Sequence, residues 1–334
     1  MRAAVLGKTP GSLRVTDDWP EPSAGSGQVV VRVHSVGICG SDLALLSGKR
    51  QAPTYPWIPG HEAVGEIVAV GGGTDPARIG QRVVIEPNYP CLRCAACQAG
   101  HTSMCRDRLI VGFTSPGLLA EYAVVPDAYA WEVPGRWSDA DAVCAEPLTV
   151  ALAAIRRSDV KPGDRCLVVG AGAQGSLVCM ALAGQGHVPY VLEPDGGRRE
   201  LAVSLGARAA APGDADFDAV FETSGAEAAL GEALSRAAHG ATIMLIGLAG
   251  QPVRTDAALI VRHQLTVRGS IIYDHPGDFA ATLTTDVASP GRILRACYPL
   301  EESVQAFRAA RQVAGKTWIE VASGRQPPSD DLAE

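Results

Sequence analysis

The sequence predicts an α/β chain of two domains. Residues 1–150 form a mostly β domain that 270–334 complete, and residues 151–269 form a doubly wound parallel sheet. Three observations carry this reading: the length, a change of pattern near residue 148, and a glycine turn placed between a strand and a helix. A chain of 334 residues exceeds the usual size of one hydrophobic core. With 47% hydrophobic and 19% charged residues it is not a disordered chain. Its 37 glycines and 23 prolines follow no fixed period, so they mark turns, not a collagen-like or low-complexity chain.

The first region reads as short strands. Val29 to Val36 alternates apolar and polar positions as a half-buried strand does, and Glu66–Val70 and Arg82–Ile85 look like two more. Pro59-Gly60, Gly71-Gly-Gly and Pro134-Gly135 separate them. From Leu148 to Ile155 the chain is apolar and Ala-rich, which predicts a helix. There follow a strand at Cys166–Val169, a glycine turn, a helix over Ser176–Ala183 and a strand over Val188–Leu192. Further strands are expected at Ala219–Glu222, Thr242–Gly247 and Leu265–Gly269. Strands alternating with helices imply a parallel sheet. The polar end, Gln326–Glu334, is expected to fray.

A net charge of −7 and no cluster of Lys and Arg exclude a basic footprint, so nucleic acid is not an expected partner. Cys166 to Leu192 carries no Asp, Glu, Lys or Arg over 27 residues, long enough to span a bilayer. Its five glycines, its proline and its change of pattern argue for a strand–turn–helix–strand unit, since buried parallel strands read as continuous apolar runs. The first residues hold no apolar run of signal-peptide length, and nine cysteines in such a chain suggest a reducing compartment. A cytoplasmic protein without membrane contact is therefore expected.

Four of the nine cysteines crowd into fifteen residues. Cys91, Cys94, Cys97 and Cys105 have the spacing C-x2-C-x2-C-x7-C, which lets a tight loop aim four thiolates at one tetrahedral zinc. Four protein ligands leave no open position, so such a zinc is structural. An iron–sulfur cluster takes the same ligands, but nothing else in the sequence speaks for electron transfer.

A second set is scattered. Cys39 lies in Gly37-Ile-Cys-Gly-Ser-Asp, His61 and Glu62 in Pro59-Gly-His-Glu, and Glu146 before Pro147-Leu148. Each alone has an ordinary explanation in packing or surface chemistry. Together they offer thiolate, imidazole and carboxylate, the donors of a catalytic zinc that keeps a position open. A third pattern, Gly170-Ala-Gly172-Ala173-Gln174-Gly175, follows a strand and opens a helix. There glycines permit a tight turn and close approach of a pyrophosphate to the helix N-terminus. Glu193, 23 residues after Gly170, stands where an acid bonds ribose hydroxyls.

Taken in order, these motifs resemble the medium-chain zinc-dependent alcohol dehydrogenases over nearly the whole chain. The resemblance implies a GroES-like catalytic domain, a Rossmann domain, and an active site in the cleft between them. Glu146 in place of a cysteine resembles the polyol, sugar and threonine dehydrogenase branch. In that branch Cys39 and His61 are zinc ligands, and Glu62 or Glu146 adds a carboxylate directly or through water. Arg198 resembles the family's basic residue on the ribose, and Gly247 and Leu248 its segment beside the nicotinamide. A homodimer or homotetramer is implied as well. Glu193-Pro-Asp-Gly-Gly-Arg-Arg, with Ser41 and Glu146, resembles bacterial aminocyclitol dehydrogenases.

The expected activity is NAD-linked oxidation of a secondary hydroxyl on a polyol, cyclitol or amino sugar, with two zincs per chain, one catalytic and one structural. A carboxylate at Glu193 repels the 2′-phosphate of NADP and favours NAD, although Arg198 and Arg199 offer that phosphate some compensation. Zinc as a Lewis acid lowers the pKa of an oxygen ligand to about 7. Ser41, two residues after Cys39, is the expected proton carrier, with Glu62 a further acid–base group. Family members often continue the relay with a histidine five residues after the cysteine, where this chain has Ala44. Two other readings stand beside the first: an NADPH-dependent carbonyl reductase on the same scaffold, and a dinucleotide-binding protein without turnover.

Overall fold

The computed structural model describes residues 1–248, 250–287 and 289–321. A seven-stranded sheet is built around Gln28–Gly37. One edge of that strand pairs antiparallel with Glu62–Val70, Gly37 standing opposite Glu62. Its other edge is shared: Tyr122–Pro126 covers Gln28–Arg32, and Lys316–Glu320 covers Ser35–Gly37. Residues after 290 thus return to a strand near the start of the chain. The alternation at Val29–Val36 predicts a half-buried strand, yet most of its positions are buried. Val29, Val31 and Val33 enter one core, while Arg32 between them pairs with Glu66 and His34 after them with Asp139.

The second sheet has six parallel strands, Cys166–Val169, Tyr190–Leu192, Arg208–Ala209, Phe217–Glu222, Ala237–Leu245 and Thr266–Gly269. Counted in chain order, they lie side by side as 3-2-1-4-5-6, the doubly wound arrangement with its switch point beside the first strand. Strand pleating sends Cys166 and Val168 to one core and Leu167 and Val169 to the other, so both faces are covered.

Several boundaries differ from the sequence reading. The helix expected over Ser176–Ala183 runs from Ala173 to Gly184, capped by Gly172, because Gly175 sits inside its first turn. The strand expected from Val188 begins at Tyr190, after Pro189, and Val188 is exposed. The strand expected from Glu66 starts at Glu62, which fixes that carboxylate on the sheet. Glu146 opens the helix Ala145–Ser158. No helix among the described residues is long and apolar enough to cross a membrane. The expected frayed tail, Gln326–Glu334, lies outside the described residues.

Candidate active site

The first sheet delivers the metal-ligand set. Cys39 follows the strand Gln28–Gly37 by two residues and caps the helix Gly40–Leu46. His61 and Glu62 lie at the start of the neighbouring strand. One ligand atom from each of Cys39, His61 and Glu62 lies within 4.8 Å of the other two. Glu146 is buried beside this set and outside it. Burial pushes its carboxyl up to about 7, His61 opposing the rise and Glu62 adding to it.

Asp42 braces the set from below. Fully buried, it accepts hydrogen bonds from the backbone N–H of Cys39 at 2.9 Å and of Gly60 at 3.1 Å, and its Oδ1 lies 3.4 Å from His61 Nδ1. Burial alone would raise its carboxyl, but His61 and the two N–H groups outweigh that and hold it below the usual range. Burial likewise works against a charged His61, and Asp42 and Cys39 raise its proton affinity well above the usual value. A carboxylate on one ring nitrogen fixes a ligating histidine's tautomer and leaves the other nitrogen for metal.

Lys316, the first residue of the last described strand, enters the same space. Its ammonium forms an ion pair with Glu62 Oε2 and donates to the Ile38 carbonyl at 3.0 Å, both charged groups being buried. Burial would lower the lysine's pKa, and Glu62 outweighs it. Gly37 makes room for the pair, since a Cβ there would lie 2.3 Å from Glu62 Oε2. Glu62 Oε1 keeps no hydrogen-bond partner among the described residues. An orphaned buried oxygen beside a thiol and an imidazole fits a divalent metal.

Ser41 occupies the second position of the helix Gly40–Leu46, and its hydroxyl makes no hydrogen bond among the described residues. It is therefore not engaged in capping. Ala44, on the same helix, offers no group to pass a proton onward.

Cys91, Cys94, Cys97 and Cys105 bring all four sulfurs within 4.8 Å of one another. Cys94 and Cys97 Sγ are 3.5 Å apart, well beyond a covalent S–S bond of ~2.05 Å. That spacing fits a tetrahedron with arms of ~2.3 Å. Backbone N–H groups of Arg93 and Cys94 lower the Cys91 thiol to about 6, which favours the thiolate a metal needs. The lobe is tied to the loop after the second sheet: Thr102 and Ser103 bond His275 and Asp274, and Arg157 bonds Ser103 Oγ at 3.0 Å.

At the switch point Gly170 takes φ +92°, and a Cβ on Gly175 would meet the Gly170 carbonyl at 2.0 Å. The helix beginning at Ala173 points its N-terminus into this turn. Gln174 Nε2 donates to the Pro147 carbonyl at 3.3 Å, which sets the turn beside Glu146. Glu193 accepts from Ala171 N at 2.7 Å and Asp195 N at 2.9 Å, so its carboxylate is fixed against the turn. Arg199 donates to the Glu193 carbonyl, whereas the Arg198 guanidinium is engaged by no described residue. Gly247 and Leu248 follow the strand Ala237–Leu245, Leu248 largely exposed.

Two family models cover most of the chain: the alcohol dehydrogenase GroES-like domain over residues 25–135 and the zinc-binding dehydrogenase over residues 173–286. The chain belongs to the zinc-dependent medium-chain alcohol dehydrogenases, in their polyol branch. Among curated relatives, L-galactonate-5-dehydrogenase of Escherichia coli K12 is 30% identical, the match covering 75% of this chain and 77% of that one. Sorbitol dehydrogenase of Bacillus subtilis is 28% identical over 93% and 94%. Among solved structures, an alcohol dehydrogenase of E. coli CFT073 complexed with NADH superimposes with TM-score 0.88 at 26% identity, covering 96% of this chain and 99% of that one. A zinc-binding dehydrogenase of Sinorhizobium meliloti 1021 bound to NADP gives 0.85 at 26%, over 96% and 99%. As a member of this family, the protein is a zinc-dependent, NAD(P)-linked alcohol dehydrogenase with a GroES-like and a Rossmann domain.

Asp42 and Lys316 are site residues that the sequence reading does not include. Asp42, three residues after Cys39, carried a signal in its helical spacing. Lys316 carried none, because only the return of the last strand places it there.

Proposed function

We propose that the enzyme oxidises a secondary hydroxyl of a polyol, cyclitol or sugar derivative with NAD, using one catalytic and one structural zinc. The observation that carries this reading is the convergence of Cys39, His61 and Glu62 next to the dinucleotide turn. Relatives named for L-galactonate and sorbitol support the substrate class. In this proposal Cys39 and His61 hold the catalytic metal, with Glu62 or Glu146 as the carboxylate donor. Cys91, Cys94, Cys97 and Cys105 hold the structural metal.

Zinc held in the first site would supply a Lewis acid for loss of the alcohol's proton, and a bound nicotinamide would supply the hydride acceptor. The chain's own residues then have distinct tasks. Ser41 Oγ, free of other bonds, takes the proton. With Ala44 beyond it, the proton leaves through water or ribose hydroxyls. Lys316 balances the charge of Glu62, and Asp42 fixes the His61 ring. On the nucleotide, Gly170, Gly172, Ala173, Gln174 and Gly175 cradle the pyrophosphate, Glu193 and Arg198 take the adenosine ribose, and Gly247 and Leu248 flank the nicotinamide. The fixed Glu193 carboxylate supports NAD. The free Arg198 supports the second reading, reduction of a carbonyl with NADPH, as does the NADP complex of the S. meliloti relative.

We assign residues 1–150 with 270–334 to the catalytic domain and 151–269 to the nucleotide domain, in a homodimer or homotetramer. Nine cysteines without a disulfide among them support a reducing, cytoplasmic setting. The test is bound zinc per chain with NADH and NADPH affinity, for wild type and Cys39→Ala. Two zincs falling to about one in the variant, with NADH bound more tightly than NADPH, is the expected result. One zinc, unchanged by the substitution, overturns the catalytic site.

A further inference from the structure

Arg50 lies just past the helix Gly40–Leu46, and its guanidinium carbon sits 4.1 Å above the centre of the Phe113 ring. Phe113 in turn packs on His61, ring centres 5.0 Å apart. The stack therefore runs inward from exposed Arg50 through buried Phe113 to a residue of the metal-ligand set. A guanidinium lying on an aromatic face keeps its N–H donors in its own plane, where they can grip a carboxylate or phosphate in a two-pronged contact.

Among the described residues nothing uses those donors. Among the described residues no carboxylate lies within 4.0 Å of the Arg50 guanidinium, and it donates no hydrogen bond. The one acidic influence on it among those residues is Asp42, which is buried, already accepts from Cys39 N and Gly60 N, and lies 3.4 Å from His61 Nδ1. Arg108, which donates to the carbonyls of Ser103 and Cys105, adds a repulsive positive charge to the field at Arg50. Partial loss of hydration and the Arg108 charge both disfavour the Arg50 cation, and only Asp42 favours it. In a chain of net charge −7, an exposed guanidinium with no carboxylate partner among the described residues is a local complement to an anion.

We propose that Arg50 is a substrate-specificity residue that binds a terminal anion, carboxylate or phosphate, on the polyol whose reacting carbinol reaches Cys39, His61 and Glu62. This rests on the dehydrogenase reading above and narrows its substrates to acidic or phosphorylated polyols. Two steps, 4.1 Å from the guanidinium carbon to the Phe113 ring and 5.0 Å from that ring to His61, separate the proposed anion site from the metal-ligand set.

The experiment is calorimetric titration of the zinc-loaded, NADH-saturated enzyme with D-gluconate, sorbitol 6-phosphate and sorbitol. Wild type is compared with Arg50→Gln and Arg50→Lys. At least one anion is expected to bind about tenfold tighter than sorbitol, the stronger one identifying carboxylate or phosphate as the group recognised. Arg50→Gln removes that preference, Arg50→Lys restores part of it, and sorbitol and NADH affinities stay unchanged. Equal binding of all three by wild type overturns the proposal. So does an Arg50→Gln variant that loses sorbitol or NADH as severely as the anions. The dehydrogenase reading fails separately: anions bound through Arg50, in a preparation that oxidises none of the three compounds with NAD or NADP, leave the anion site standing and remove the assigned reaction.

Discussion

Glu62 and Lys316 form a buried ion pair in which each partner is the other's main compensation. Removing one charge leaves the other desolvated, which typically costs about 3–5 kcal/mol. Lys316→Met is expected to lose stability on that scale in urea unfolding. If Glu62 holds zinc as proposed above, the loss should grow once the metal is chelated, because the metal would be the second positive charge available to that carboxylate. The double variant Glu62→Gln, Lys316→Met should recover much of it. If the single variant is as stable as wild type, the pair is not what holds Glu62 in place. At this scale the sequence was readable only where spacing is local. Cys39, His61 and Glu62 sit in short motifs, and the four cysteines announce a metal by density alone. Lys316 and Arg50 lie in unremarkable surroundings, and their meaning comes from neighbours distant in the chain.

Among the elements, the short helix Asp139–Ala142 depends on one carboxylate. Asp141 accepts from Ser138 N and Oγ as the far half of a capping box, and its other oxygen accepts from Ser289 Oγ at 2.6 Å and Gly291 N at 3.0 Å. Burial raises the carboxyl, but these hydrogen bonds outweigh it and leave the pKa below the usual value. The folded protein therefore binds this proton less readily than the unfolded chain. The stabilisation is complete above the unfolded value of ~3.9 and disappears as pH falls through the folded one. Asp141→Asn should cost about 1–2 kcal/mol at pH 7, and the gap in Tm from wild type should persist down to about pH 4 and close only as pH falls below the unfolded value of ~3.9 and through the lower folded one. A gap independent of pH would assign the loss to shape instead of charge. Existence and type of most elements could be read from pattern, while their ends could not. Gly175 reads as part of a loop, yet it belongs to a helix because that helix must approach the Gly170 carbonyl too closely for any Cβ.

On the scale of the whole molecule, the two sheets share one core. Val64 and Val84 from the first sheet, Leu148 from the helix Ala145–Ser158, and Val168 and Leu177 from the second belong to a single buried cluster. Separate domains joined by a polar seam unfold in steps, but a shared apolar core couples them. Thermal unfolding followed by circular dichroism and by tryptophan fluorescence should give coincident midpoints, and two resolved transitions would refute the coupling. The alternating patterns made the parallel sheet legible, whereas the closing of the first sheet by Lys316–Glu320 depends on pairings no local pattern encodes. That closure governs the order in which the active site is assembled during synthesis. Lys316 is made 278 positions after Ile38, whose carbonyl it bonds. At ~5–20 residues per second the wait is roughly fifteen to sixty seconds. From its own synthesis until that of Lys316 the carboxylate of Glu62 has no ammonium beside it, while the four thiols of the cysteine lobe, fifteen residues from first to last, emerge together. On the proposed assignment, the nascent chain would complete the four-cysteine metal site long before the surroundings of Glu62.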